Sequence, residues 1–240
     1  MKITVLPTEQ QFDETSADRI LEQMKVPGSV IGLSTGRTTG AMHRIVAQRY
    51  NAEPFDISSI TLFAQDEIVG IPPTQFRACR AMLNKDLMQD IPIAPENFVS
   101  LSTSWEDYPD ECQKFTERLG QIDLVILGLG ENGHLGFNQP GTPFDLGANV
   151  APLLPSVYES VRKDAELPEG ARLGGATLGL ADVMKARRVI LVAKGDNKTD
   201  IVKQIIEGPV SEQVPGSILQ NHPNCEYILD SKAAAKLSVK

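Results

Sequence analysis

Apolar and polar positions fall into alternating blocks along this chain, and the blocks predict strands and helices in turn. Ile3 to Leu6 is a short apolar run closed by Pro7 and reads as a first strand. Ser16 to Met24 follows with Ile20, Leu21 and Met24 at helical spacing. After the Pro27-Gly28 break, Ser29 to Leu33 predicts a second strand that runs directly into a polar turn, Ser34 to Gly40. The helix after that turn carries Met42, Ile45 and Val46. Ile60 to Phe63 predicts a third strand, Gln75 to Met88 a helix, Phe98 to Leu101 a strand and Glu106 to Leu119 a helix. Asp123 to Leu127, rich in Val, Ile and Leu, reads as a strand buried on both faces. From Thr142 to Gly175 the chain is rich in proline and glycine with little periodicity, the character of a lid or loop. Regularity returns with a strand at Arg188 to Ala193, a turn at Lys194 to Lys198 and a helix to Glu207 with Ile201, Ile205 and Ile206 on one face. A strand at Cys225 to Leu229 and a terminal helix at Ser231 to Leu237 close the pattern. Strands alternating with helices predict an α/β fold, a mostly parallel sheet with helices on both faces. With 240 residues and neither an internal repeat nor a convincing linker, one domain spanning 1–240 is expected.

Composition narrows the partners. There are 31 acidic residues against 23 basic ones, a formal charge of -8, which argues against nucleic acid or an anionic membrane surface. An anionic ligand would have to be captured by local donors. Cys79, Cys112 and Cys225 are odd in number, widely spaced and match no metal-ligand pattern, as expected of reduced thiols. No apolar run approaches the ~20 residues that span a bilayer. Met1 to Val5 opens as a strand, without the long apolar stretch of a signal peptide, so a cytoplasmic location is expected.

Three turns at strand ends carry candidate chemistry. Gly128, Gly130 and Gly133 let the backbone bend sharply and approach a ligand, and the same turn holds His134, one of three histidines. This is either a ligand site at the carboxyl end of a buried strand or an ordinary strand-to-helix turn with a surface histidine. In Ser34-Thr35-Gly36-Arg37-Thr38-Thr39-Gly40, backbone N–H groups at a helix start and threonine hydroxyls suit phosphate, though the turn lacks the Walker glycine-lysine pair and simple capping explains it equally. In Gln65-Asp66-Glu67 the two carboxylates face different directions, so one at most points into a site; otherwise this is a solvated acidic turn. In a parallel sheet all three turns lie on one side and could converge on one crevice.

Together, Leu33 to Thr39, Phe63 to Gly70, Leu127 to Pro140 and Ser217-Ile218-Leu219 with His222-Pro223 resemble the glucosamine-6-phosphate deaminase/isomerase family, in the same order over nearly the whole chain. The Asn-Gly-His-Leu-Gly form of the turn is most similar to the galactosamine-6-phosphate isomerase/deaminase branch. The resemblance implies a Rossmann-like α/β sandwich with no metal and no organic cofactor, acting on a small anionic sugar phosphate as a monomer or small homo-oligomer. It casts Asp66 as the enolisation base and His134 as the group that assists ring opening. It gives the phosphate to Thr35, Gly36, Arg37, Thr38, Thr39 and Lys198, and to Arg162 as the phosphate arginine, with Lys194, Arg172 and Arg37 as possible substitutes. In the deaminases the histidine is usually flanked by an aspartate and a glutamate; here those places hold Asn132 and Gln139, which can hydrogen-bond but supply no charge. The related 6-phosphogluconolactonases generally have an arginine after the Asp-Glu pair and an Asp-Gly-His-Thr turn, where this chain has Ile68 and Asn-Gly-His-Leu. The expected activity is isomerisation and deamination of a 2-amino-2-deoxyhexose 6-phosphate. A lactonase-like hydrolase and a non-catalytic sugar-phosphate sensor are the alternatives.

Overall fold

The computed structural model describes residues 1–108 and 110–238. Its strands are β1 (Lys2–Leu6), β2 (Val30–Leu33), β3 (Thr61–Ala64), β4 (Asp66–Val69), β5 (Phe98–Val99), β6 (Leu124–Gly128), β7 (Asn149–Ala151), β8 (Gly174–Thr177), β9 (Arg188–Ala193) and β10 (Cys225–Asp230). The helices are α1 (Glu9–Met24), α2 (Gly40–Ala52), α3 (Cys79–Asp86), α4 (Glu111–Leu119), α5 (Pro155–Asp164), α6 (Leu180–Lys185) and α7 (Thr199–Glu207). Seven strands form one sheet in the order β1-β10-β9-β6-β2-β3-β5, and every neighbouring pair in it is parallel. After β2 the chain builds outwards through β3 and β5, then returns to the other side of β2 with β6. The carboxyl ends of β2 and β6 therefore mark the topological switch point, where open α/β sheets form a crevice.

The near-continuous apolar runs follow from burial on both faces. Leu124 and Ile126 of β6 pack with α1, α2 and α3. Val125 and Leu127 pack with α4, α6 and α7 on the opposite face.

The structure departs from the sequence expectations at several elements. Helix α1 starts at Glu9, well before Ser16, because the Thr8 hydroxyl caps it by accepting from Gln11 N at 3.2 Å. Two polar residues on its buried face, Asp13 and Ser16, broke the apolar pattern. The helix expected from Gln75 begins at Cys79, and that expected from Glu106 begins at Glu111 after a short 3-10 turn. The segment expected to be a loop, 142–175, contains β7, α5 and the start of β8. The terminal helix expected at 231–237 is a series of turns. The acidic "turn" at Asp66 is the first residue of β4, which pairs antiparallel with β8 in a separate three-stranded sheet, β4-β8-β7.

Candidate active site

A cavity of about 830 Å³ opens at the carboxyl ends of β2, β3, β6 and β9, and its walls include the turns 34–39, 65–66, 128–134 and 194–198. The three turns singled out by sequence do converge.

Asp66 enters from β4. The antiparallel register sets it opposite Thr177, whose Oγ1 donates to Asp66 Oδ1 at 2.5 Å. Close approach here requires glycine at 136: a Cβ would lie 2.2 Å from Asp66 Oδ1 and 2.5 Å from Thr177 Oγ1, and the residue has φ +58°. Asp66 is 8% exposed, and burial pushes its carboxyl up to about 7. Hydrogen bonding from Thr177 and Gln65 opposes this shift, while neighbouring Glu67 adds to it. Glu67 points elsewhere. Its carboxylate accepts from the backbone N–H of Ile68, Cys79 and Arg80 at 2.8, 2.7 and 2.9 Å, holding the amino end of α3. Only one of the two adjacent carboxylates serves the cavity.

His134 is oriented by amides. Its Nδ1 lies 2.6 Å from Asn132 Oδ1, and Asn132 Nδ2 donates to Gln139 Oε1 at 3.2 Å. Because the Asn132 oxygen can only accept, Nδ1 carries the proton in the neutral ring and Nε2 is left as the basic nitrogen. Glycine is required at 130 too, since a Cβ there would lie 2.1 Å from the imidazole. Burial lowers the His134 pKa, the Lys198 ammonium lowers it further, and Glu131 acts the other way. Glu131 Oε1 also accepts from Asn197 Nδ2 at 2.6 Å, tying the histidine turn to the segment bearing Lys198.

The turn after β2 leads into α2, whose leading N–H groups find no acceptor on the side chain of the N-cap residue, Thr39. Thr35, Gly36, Arg37, Thr38 and Thr39 all line the cavity. The Thr39 hydroxyl braces the turn by donating to Ser34 O at 3.0 Å. Burial pushes the Lys198 ammonium down and the neighbouring Arg37 adds to this, with Glu131 acting the other way. Among the described residues no carboxylate lies within 4.0 Å of either cation. Two unpaired cations beside an uncapped helix start suit an anion.

The other cations are engaged elsewhere. Arg162 does not line the cavity: its guanidinium donates to Glu159 Oε2 at 2.9 Å and to Leu167 O at 3.2 Å within and just beyond α5. Arg172 stacks over Trp105, 3.9 Å from the ring centroid. Lys194 lines the cavity but donates to both carboxylate oxygens of Asp13 at 3.0 Å. Arg37, one of the substitutes for Arg162, is thus the arginine brought to Lys198. Thr177 and Gly136 had no assigned role in the sequence; the β4–β8 pairing sets Thr177 opposite Asp66, and Gly136 reaches the pair from the turn after β6, where Phe137 N donates to Thr177 Oγ1 at 3.2 Å.

Comparison with known proteins identifies the family. The sequence matches the family of glucosamine-6-phosphate isomerases and 6-phosphogluconolactonases over residues 8–227. It is 30% identical over 239 residues to the glucosamine-6-phosphate deaminase of Thermoanaerobacter pseudethanolicus, covering 98% of this chain and 94% of that one. To the glucosamine-6-phosphate deaminase of Halothermothrix orenii it is 31% identical over 241 residues, covering 99% and 100%. A solved monomeric glucosamine-6-phosphate deaminase superposes with a TM-score of 0.90 at 26% identity, covering 98% and 99% of the two chains. The 6-phosphogluconolactonase of Trypanosoma cruzi shares the fold, with a TM-score of 0.80 at 19% identity. With its converging strand-end turns and a match that spans nearly its whole length, the chain belongs to the glucosamine-6-phosphate isomerase/6-phosphogluconolactonase family.

Proposed function

We propose that the chain converts a 2-amino-2-deoxyhexose 6-phosphate and water into the ketose 6-phosphate and ammonia, with galactosamine 6-phosphate the favoured substrate and glucosamine 6-phosphate the other. The observation that carries this reading is the shared cavity: a buried Asp66 poised near pH 7 faces the same space as the amide-held His134 and the unpaired Arg37 and Lys198. The phosphate sits at the 35–39 turn and the start of α2, with Arg37 and Lys198 balancing its charge. His134 Nε2 takes the proton of the C1 hydroxyl in the ring form and returns one to the ring oxygen as the ring opens. Asp66 takes the proton from C2 and delivers it to C1, while the C2 ammonium gives one of its protons to the C1 carbonyl oxygen, which becomes the hydroxyl. C2 is then an iminium carbon; water adds to it and ammonia leaves.

The preference for the galactosamine epimer rests on the Asn132-Gly133-His134-Leu135-Gly136 turn. The lactonase reading has the shared fold in its favour, but Ile68 and Leu135 stand where those enzymes generally have arginine and threonine. A sensor without turnover would not need an imidazole held in one tautomer. The likeness to a monomeric deaminase supports a monomer. Assays for ammonia and ketose phosphate on both epimers, run beside a lactone hydrolysis assay, test the proposal. Release of ammonia from galactosamine 6-phosphate, faster than from its epimer, is expected; lactone hydrolysis without ammonia release would overturn it.

A further inference from the structure

Two buried polar atoms in cavity-lining residues have no partner among the described residues: Ser34 Oγ and Gln65 Oε1. The other orphaned atoms, on His43, Asn138, Arg162 and Tyr227, belong to residues that do not line the cavity. A buried polar atom without a partner is destabilising, and where it persists it points to a use.

The fold sets these two side by side. Leu33 pairs with Ala64 in the β2–β3 register, and Gln65 N donates to Leu33 O at 3.3 Å, so the next step of the ladder brings Ser34 next to Gln65. The residues are 4% and 2% exposed. Gln65 is pinned on its other side too, because its carbonyl accepts from Leu178 N at 2.8 Å. Across the switch point Gly128 has no side chain to cover Ser34; a Cβ there would lie 3.8 Å from Oγ.

Their place along the site identifies what they meet. Ser34 immediately precedes the turn that anchors the C6 phosphate, and Gln65 immediately precedes the base that works at C1 and C2. The pair therefore lies between the two ends of the extended sugar. Building on the amino-sugar-phosphate reading, we propose that Ser34 and Gln65 are specificity-determining residues that hydrogen-bond the hydroxyls on C3 and C4 of the open-chain substrate. Gln65 Oε1 accepts from one hydroxyl and Ser34 Oγ engages the other. The two candidate substrates differ only in configuration at C4, so this pair also sets the preference between them.

The test compares kcat/KM of the full-length wild type, Gln65→Met and Ser34→Ala on four substrates: the preferred amino-sugar 6-phosphate, its C4 epimer and its 3-deoxy and 4-deoxy analogues. Wild-type turnover of the parent sugar settles the underlying reading first, and its absence on every amino sugar would sink that reading. Given turnover, each variant should lose about tenfold to a hundredfold on the parent sugar and far less on the analogue lacking the hydroxyl it contacts. Discrimination between epimers should shrink in at least one variant. Gln65 also hydrogen-bonds Asp66, so the pH profile is recorded for each protein. Equal losses on all four substrates, or a displaced pH limb with no change in substrate preference, would overturn the proposal by making these residues supports of Asp66 or of the fold. Ser34 does not figure among the groups acting on Asp66, so its variant tests substrate contact independently of Gln65.

Discussion

Asp66 and Glu226 are both buried carboxylates, 8% and 4% exposed, set at opposite ends of the strands. Glu226, near the amino end of β10, is ringed by cations: Lys2 at 2.8 Å, Arg188 at 2.9 Å and Arg19 at 3.2 Å, with the Thr4 hydroxyl donating at 3.1 Å. Burial acts to raise its pKa, but these charge-assisted hydrogen bonds win and hold it down at about 2. Asp66, just past the carboxyl end of β3, has a hydroxyl and an amide for company and, among the described residues, no cation bonded to it, so burial wins and its carboxyl sits at about 7. The same residue chemistry is locked as an anion at one end and kept able to exchange a proton at the other. The difference lies in whether a cation reaches the carboxylate. One end of the sheet is built for stability; on the proposed mechanism the other serves proton transfer.

The sharpest way to break that contrast is Asp66→Asn. Asparagine keeps the acceptor for Thr177 but cannot take the C2 proton, so kcat should fall about 10²–10⁴-fold with KM little changed. Stability should move in the opposite direction. The folded pKa of Asp66 lies above its unfolded value, so its contribution is fully favourable below about 3.8 and is lost as pH rises through about 7. The variant should therefore be more stable than wild type at pH 8, by at most about 4 kcal/mol, and the two should converge near pH 3.5. Equal melting at pH 8, or substantial kcat in the purified variant, would show that Asp66 is not held as a strained base.

Next in size is Lys198→Ala. The lost charge-assisted bond should weaken binding of 6-phosphorylated sugars by about 1.5–3 kcal/mol and leave the unphosphorylated sugar nearly unaffected. Titration calorimetry on both ligands checks it, and equal losses would move the phosphate away from Lys198.

Glu226→Gln probes the other end. It leaves three cations facing a neutral amide, but Lys2 and the two guanidiniums keep part of their water, so a loss of about 1–2 kcal/mol in unfolding free energy is expected. Because the folded pKa of Glu226 lies below its unfolded value of about 4.5, the difference from wild type should persist at neutral pH and fade as pH drops towards about 2. Turnover per folded molecule should not change.

How much of this was legible in the sequence depends on how local each cause is. The parallel strands were readable because burial on both faces makes continuous apolar runs, and the polar turns at their ends marked the cavity walls. β8 was invisible: its sequence, Gly174 to Thr177, has no alternation because the Phe137 ring lies where a Gly175 side chain would be, 2.3 Å from a Cβ. Without β8 nothing indicates that Asp66 starts a strand, that Thr177 faces it or that Glu67 holds the amino end of α3. Arg162 illustrates the opposite error. Its distance along the chain suited a phosphate ligand, yet α5 directs it to Glu159. Arg37, equally readable as a solvated surface charge, is the one that reaches Lys198's neighbourhood.

The smallest expected effect concerns the amides around His134. Asn132 and Gln139 keep the imidazole oriented through the 2.6 and 3.2 Å contacts but give it no negative charge, while burial and Lys198 both lower its pKa. In the variant combining Asn132→Asp with Gln139→Glu, the same geometry would carry charge, so the His134 pKa should rise. A rise of about one unit corresponds to roughly 1.4 kcal/mol. If proton delivery to the ring oxygen limits turnover, the cyclic substrate should then open up to about tenfold faster near neutral pH, with an open-chain analogue gaining much less. NMR titration of His134 beside the pH dependence of turnover on both substrates measures the two effects together. A raised pKa without faster ring opening would show that protonation of His134 does not limit the enzyme, and that the amides serve by holding Nε2 basic for the C1 hydroxyl proton.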